Sequence, residues 1–168
     1  MMALHERAAG ASDEWYTPPY VFEAMEATFM TDVASPGESV TPWVPALRFI
    51  VQDSLSVPWE GFCWMNPPFG GRNGLRPWLT KFFAHGSGVA LVPDRTSAPW
   101  WQEFAPKADA ILFVRKKIRF IRPDGLEGPS PPNGTTLLAA GPFGALALEA
   151  ARRNGLGLLL APRSGDTP

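Results

Sequence analysis

Four consecutive residues, Asn66-Pro67-Pro68-Phe69, offer the clearest chemistry in the chain. Pro67 and Pro68 restrict φ and remove two backbone donors, so the turn is stiff and its carbonyls point outward as acceptors. Asn66 adds a side-chain carbonyl acceptor, and Phe69 supplies a flat apolar face. A rigid pair of acceptors beside an aromatic ring suits a planar heterocycle carrying an amino group: the amine donates two hydrogen bonds while the ring stacks. A stiff turn between a strand and a helix would use the same four residues without any chemistry. Their place in the fold decides between the two.

Short apolar runs alternate with helical patterns along the chain. Thr17 is positioned to cap a helix that opens at Pro18 or Pro19, with Val21, Phe22, Met25 and Phe29 at helical spacing. An apolar run then ends at Asp32, and residues 34–45, rich in Pro, Ser and Gly, read as loop. Strands are predicted over 48–51, 62–65, 88–92, 110–114 and 135–140, and helices over 75–83, 99–104 and 143–153, the first of these closed by Gly86. Residues 117–121 form a further extended run that enters a hairpin-type turn at Pro123-Asp124-Gly125. Pro129, Pro131 and Pro132 keep 125–134 irregular. The alternation predicts an α/β fold with a mostly parallel central sheet and helices on both faces. In such sheets ligands sit beyond the carboxyl ends of the strands. Asp32, Asp53, Asn66 and Pro93-Asp94-Arg95-Thr96 each follow an apolar strand, so all four converge on one rim.

The 168 residues, 45% hydrophobic and 18% charged, fit one globular domain over 13–160, between a flexible leader at 1–12 and a tail at 161–168. Cys63 is the only cysteine and His5 and His85 the only histidines, which argues against a disulfide framework or a metal site. A reducing cytoplasmic compartment is the simplest fit. Glu6 and Arg7 interrupt any secretory signal, and no run approaches the ~18 apolar residues of a membrane span; the late apolar run 156–161 is far too short. The net charge of -1 does not advertise nucleic-acid binding, but Arg115, Lys116, Lys117, Arg119 and Arg122 place five positive charges within eight positions. Such a patch can neutralise phosphates; it can equally be a solvated edge strand guarded by lysine.

Asn-Pro-Pro followed by an aromatic residue resembles the catalytic motif of amino-methyltransferases that modify adenine, or cytosine at its exocyclic amine. More narrowly, Asp13-Glu14-Trp15-Tyr16-Thr17-Pro18-Pro19, Asp32-Val33-Ala34-Ser35 and Trp64-Met65-Asn66-Pro67-Pro68-Phe69-Gly70 resemble the phage-type DNA adenine methyltransferases. Val92-Pro93-Asp94-Arg95-Thr96 and Ile118-Arg119-Phe120 are similar too, so the resemblance runs over residues 13 to 140. It implies a Rossmann-like methyltransferase fold, S-adenosyl-L-methionine as methyl donor and double-stranded DNA as partner. The implied reaction is methylation of adenine N6, with the base flipped out of the duplex and attacked in line. Asn66, Pro67, Pro68 and Phe69 would be catalytic, Phe69 stacking on the base while Asn66 and the Pro67 region accept hydrogen bonds from its amine. Tyr16, Thr17 and Pro18 would line the methionine end of the cofactor. Asp32 would take its ammonium or a ribose hydroxyl, and Asp53 its ribose or adenine amine.

No Gly-x-Gly loop follows the first strand, where Asp32-Val33-Ala34-Ser35-Pro36-Gly37 stands instead, as in the narrower family. The resemblance turns the basic stretch toward DNA: Lys116, Lys117, Arg119 and Phe120 would contact it, with Arg72, Arg76 and Lys81 adding phosphate contacts. It also implies the cytoplasm of a bacterial host, with a phage or prophage gene as one origin. Sequence specificity would come from the loops 34–45, 70–74 and 124–134. Two other readings stand beside this one: the same chemistry on RNA or a protein glutamine, and a non-catalytic DNA-binding remnant. Trp43, Trp59, Trp100 and Trp101 read as core or rim packing, His85 as a helix C-terminal residue and Cys63 as an inert core thiol.

Overall fold

A computed structural model describes residues 15–70 and 74–163. The leader at 1–12, Asp13, Arg72 and residues 164–168 of the tail lie outside the described residues. The elements run α1 (Pro19–Met25), β1 (Phe29–Asp32), β2 (Ala46–Phe49), β3 (Cys63–Met65), α2 (Leu75–His85) and β4 (Gly88–Pro93). They continue with α3 (Pro99–Phe104), a 3-10 turn at Ala105–Lys107, β5 (Ala110–Val114), β6 (Thr135–Ala140), α4 (Gly141–Arg153) and β7 (Gly157–Leu160).

The seven strands form one sheet in the order β2-β1-β3-β4-β6-β5-β7. The expected α/β class holds, but the sheet is not mostly parallel. β1 pairs in parallel with β2 and β3, and β3 with β4, whereas β4–β6, β5–β6 and β5–β7 are antiparallel and form the longer ladders. The reason is written between β5 and β6. A parallel return needs a crossover, usually a helix, and the proline-broken stretch after Val114 cannot supply one. It loops over one edge of the sheet, and β6 enters beside β4 and β5 in the opposite direction. β1 to β5 still share one direction, so the ends of β1, β3 and β4 open on the same edge over which this excursion lies.

Side chains alternate between two cores. Trp64, Val89, Leu91, Leu112 and Leu137 face α1 and α4, packing with Phe22, Met25 and Leu148. Cys63, Met65, Ala90, Val92 and Leu138 face α2 and α3, packing with Leu79, Phe82, Trp101 and Phe104. Helices therefore cover both faces. Gly144 lets α4 seat directly on the sheet: a Cβ there would lie 2.4 Å from the Gly88 carbonyl oxygen.

Four local expectations change, the first being Phe29, which stands at helical spacing after Met25 but opens β1. Thr17 does not cap α1; Pro18, at ψ 155, is the N-cap residue and Pro19 opens the first turn, with no side-chain cap bond. A residue before proline is held extended, which sets Thr17 outside the helix, where it is buried in the lining of the cleft described below. β2 falls two residues before the expected 48–51, because Phe29 and Asp32 of β1 align with Ala46 and Phe49. The 156–161 run becomes the edge strand β7, anchored on β5 by pairing such as Leu112 with Leu159.

Candidate functional site

The parallel register fixes the rim. Asp32 lies beside Trp64, and Met65 beside Ala90, so the chain leaves β1, β3 and β4 at one edge. A cleft of about 860 Å³ opens there, within the ~300–1,000 Å³ usual for small-molecule sites. Tyr16, Thr17, Asp32, Asp53, Asn66, Pro67, Pro68, Phe69 and Phe120 all line it. Of the four positions expected at one rim, Asp32, Asp53 and Asn66 meet here, whereas none of residues 93–96 lines this cleft.

Asn66 is half-buried at the end of β3, and its Nδ2 donates to the Trp15 carbonyl oxygen at 2.9 Å. That bond orients the amide, since only the NH₂ end can donate. Oδ1 is left as an acceptor with no hydrogen-bond donor among the described residues. The Trp15 carbonyl is itself held in place by its neighbour: Tyr16 N–H donates to the Ile121 carbonyl at 2.9 Å and Ile121 N–H to the Tyr16 carbonyl at 2.8 Å. Pro67 is buried, while the Phe69 ring is 40% exposed at the cleft mouth. The turn therefore presents an acceptor and an open aromatic face together.

The lining also holds polar groups short of partners. The Thr17 hydroxyl is buried with no hydrogen-bond partner, although the Thr17 carbonyl accepts from Trp43 Nε1 at 2.9 Å. An orphaned buried hydroxyl costs free energy unless a ligand meets it. Asp32 is 3% exposed, and burial pushes its carboxyl up to about 6 against the opposing hydrogen bonds of the Ala34 N–H and the Ser35 hydroxyl. No Lys, Arg or His pairs with it among the described residues. Val33, Val44, Ile50 and Trp64 make the remaining wall apolar. This donor and acceptor set fits a ligand with a cationic group, hydroxyls and a flat apolar ring.

Asp53 is exposed, sits at φ 55 and opens a turn by accepting from Ser56 N–H at 2.8 Å. Lys81 fastens that loop, with Nζ donating to the carbonyls of Ser54 at 2.8 Å and Val57 at 2.5 Å and lying 4.9 Å from the Trp59 ring centroid. Its ammonium is engaged with the loop rather than presented outward. Sequence reasoning missed this tether and the Trp15 carbonyl, because both are contacts between distant segments that no local pattern encodes.

On the other flank, the turn at Pro123-Asp124-Gly125 forms as expected, with Gly125 at φ 79 donating to the Arg122 carbonyl at 2.8 Å. Phe120 is buried and reaches the cleft. Arg119 pairs with Glu127 at 3.1 Å and Arg122 with Asp124 at 2.9 Å. Lys117 Nζ donates to the Pro132 carbonyl at 3.0 Å, and Lys116 is exposed at φ 64. Arg76 pairs with Glu103 at 2.5 Å on the flank of α2. The structure thus brings Phe120 into the cleft, while Lys116, Lys117, Arg119 and Arg76 are not among the residues that line it.

Trp59 and Trp101 are buried, and Trp43 and Trp100 half-buried, in keeping with packing roles. His85 ends α2, with Nε2 2.7 Å from the Gly61 carbonyl oxygen and 3.4 Å from Cys63 Sγ. Burial pushes the Cys63 thiol up to about 12, so it stays protonated and inert. Among the described residues no cluster of metal-ligating side chains is found, and no helix is long and apolar enough to cross a membrane. Comparison with curated proteins and with solved structures gives no match. The family profile described as DNA N-6-adenine-methyltransferase (Dam) matches residues 6–139.

Proposed function

Because the chain belongs to the DNA N-6-adenine-methyltransferase (Dam) family, we propose that it is a site-specific, S-adenosyl-L-methionine-dependent enzyme that methylates adenine N6 in double-stranded DNA. The observation that carries this reading is the orientation of Asn66: its NH₂ is taken by the Trp15 carbonyl, so Oδ1 can only accept. An adenine amine is a donor of two hydrogen bonds. Oδ1 and the Pro67 carbonyl region supply the two acceptors, and Phe69 supplies the stacking face. Holding both N–H bonds in this way draws the nitrogen toward tetrahedral geometry and frees its lone pair. No protein nucleophile or strong base is required, and the amine proton passes to solvent. The catalysis is positioning and electrostatics.

S-adenosyl-L-methionine supplies, when bound, the electrophilic methyl. Asp32 would hold its cationic or hydroxyl-bearing part, Thr17 would satisfy its buried hydroxyl on the ligand, and Tyr16 and Asp53 would complete the wall; Pro18, expected beside them, is the N-cap residue of α1 and does not line the cleft. The shared direction of β1 to β5 is consistent with a Rossmann-like arrangement of this site. Since an adenine amine is paired inside a duplex, the base must flip out to meet Asn66. Lys116, Lys117, Arg119, Phe120, Arg76 and Arg72 are the proposed contacts to the DNA.

The test is incubation with methyl-labelled cofactor and duplex DNA, followed by digestion to nucleosides. N6-methyladenine is the expected product, and it should vanish with Asn66→Ala. Label that enters RNA or protein but not DNA would overturn the assignment.

A further inference from the structure

Asp94-Arg95-Thr96, at the end of β4, has no task in the reaction above, yet it opens onto a second cleft. This one measures about 550 Å³ and is lined by Phe69, Pro93, Arg95, Trp100 and Asn133 among others. Phe69 lines both clefts, so the two adjoin at that residue. The walls are built rather than incidental. Asp94 Oδ1 accepts from the Thr136 hydroxyl at 2.5 Å, and Asp94 N–H donates to the Gly134 carbonyl at 3.0 Å. Gly134 is pressed so close that a Cβ would stand 2.1 Å from Asp94 Oδ2. This tie between residues 94 and 134 fixes their neighbours, Arg95 and Asn133, at one cleft. Arg95 is exposed and has no ion-pair partner among the described residues. The Asn133 side-chain amide has no hydrogen-bond partner among them either. Trp100 is half-buried and braced edge-on against Trp101, with ring centroids 5.6 Å apart.

An unpaired guanidinium, a free amide and a braced indole are the three groups that hold one nucleotide: by its phosphate, its base edge and its base face. We infer that this cleft is a second nucleotide subsite, which takes the nucleotide next to the target adenine in the same strand. It rests on the reading of the first cleft as the methylation site. Trp100 stacks on the flanking base, Arg95 binds its phosphate and the Asn133 amide reads its edge. Continuity through Phe69 commits the occupant: a strand whose adenine stacks at Phe69 in the first cleft continues into the cleft that shares this residue.

The test uses the full chain and a duplex library with randomised sequence around adenine, read by sequencing that detects N6-methyladenine, together with steady-state kinetics. Arg95→Gln should raise KM for DNA by about tenfold with KM for S-adenosyl-L-methionine unchanged. Asn133→Ala should broaden the bases accepted at one position beside the methylated adenine. Both residues are outside the packed cores, so folding is kept; Trp100→Ala, checked by thermal melting, should show both effects. Unchanged KM for DNA and unchanged sequence context in an active protein would overturn the subsite alone. A rise in KM for the cofactor would overturn it by assigning the cleft to the cofactor. A wild-type protein that methylates no DNA would instead overturn the reading of the first cleft.

Discussion

The two halves of the sheet are built to different standards. β1, β2 and β3 are strands of three or four residues, while β4 and β6 are six residues long and buried at every position. The short parallel half ends in polar residues at the rim and carries the larger cleft. It also borders the orphaned Thr17 hydroxyl and the uncompensated Asp32 carboxyl. The strands of the antiparallel half satisfy their own backbone along longer ladders, and the free groups of this half, Arg95 and Asn133, stand at the ends of β4 and β6. Binding chemistry sits where the protein is least self-satisfied, and the better-paired half provides the stability that tolerates it.

The comparison is sharpened most by separating activity from stability. Asn66→Ala, in the short half, should lower kcat by at least ~100-fold, as loss of an oriented polar group in a site does. Cofactor affinity measured by calorimetry should stay near wild type; a joint loss of both would break the division. Leu137→Ala, in the long half, should cost about 2–5 kcal/mol in denaturant unfolding. Turnover per folded molecule should be retained.

Asp32 joins the two properties in one residue. Its folded pKa, raised to about 6, lies above that of an unfolded carboxyl. Below the unfolded value both states are protonated and nothing is lost. As pH rises from ~4 through ~6 the unfolded chain releases the proton first, so stability falls, by an amount on the order of 3 kcal/mol. Asp32→Asn should abolish that fall, raising the melting temperature at neutral pH while weakening cofactor binding. In the wild type, cofactor binding should tighten as pH rises through about 6. A melting temperature that is lower in the variant would contradict the uncompensated carboxyl. The smallest effect belongs to the exposed lysines. Replacing Lys116 and Lys117 by Gln should reduce the salt slope of DNA binding by about one to two, and an unchanged slope would return them to the solvated surface.

The same contrast decides what was legible beforehand. α3, β5 and β6 follow from continuous apolar runs and proline or glycine punctuation, and their bounds agree with expectation. The rim positions of Asp32 and Asn66 were legible because each directly follows a buried strand. The strand directions were not, since the alternation of strands and helices was extended across residues 115–134, where prolines exclude a crossover helix. Thr17 does not cap α1 as expected; a hydroxyl before a helix start looks the same in sequence whether it caps the helix or lines a cleft. The Trp15 carbonyl that orients Asn66, and the Lys81 tether of the 54–57 loop, depend on distant segments meeting. Only tertiary packing decides such contacts.

The bridge between Tyr16 and Ile121 has a consequence for the order of assembly. It closes a loop that spans most of the chain, and such closures lose entropy before any contact compensates for it. The sheet can pair largely through its own neighbours, whereas the carbonyl that aims Asn66 is held only once the 120–128 hairpin has folded back over the rim. Along an emerging chain, β1 to β4 therefore precede the segment that aims Asn66, and β6 completes the sheet only after that segment has been made. A nascent fragment ending before Ile118 should carry Asn66, Pro67, Pro68 and Phe69 and still be unable to aim them.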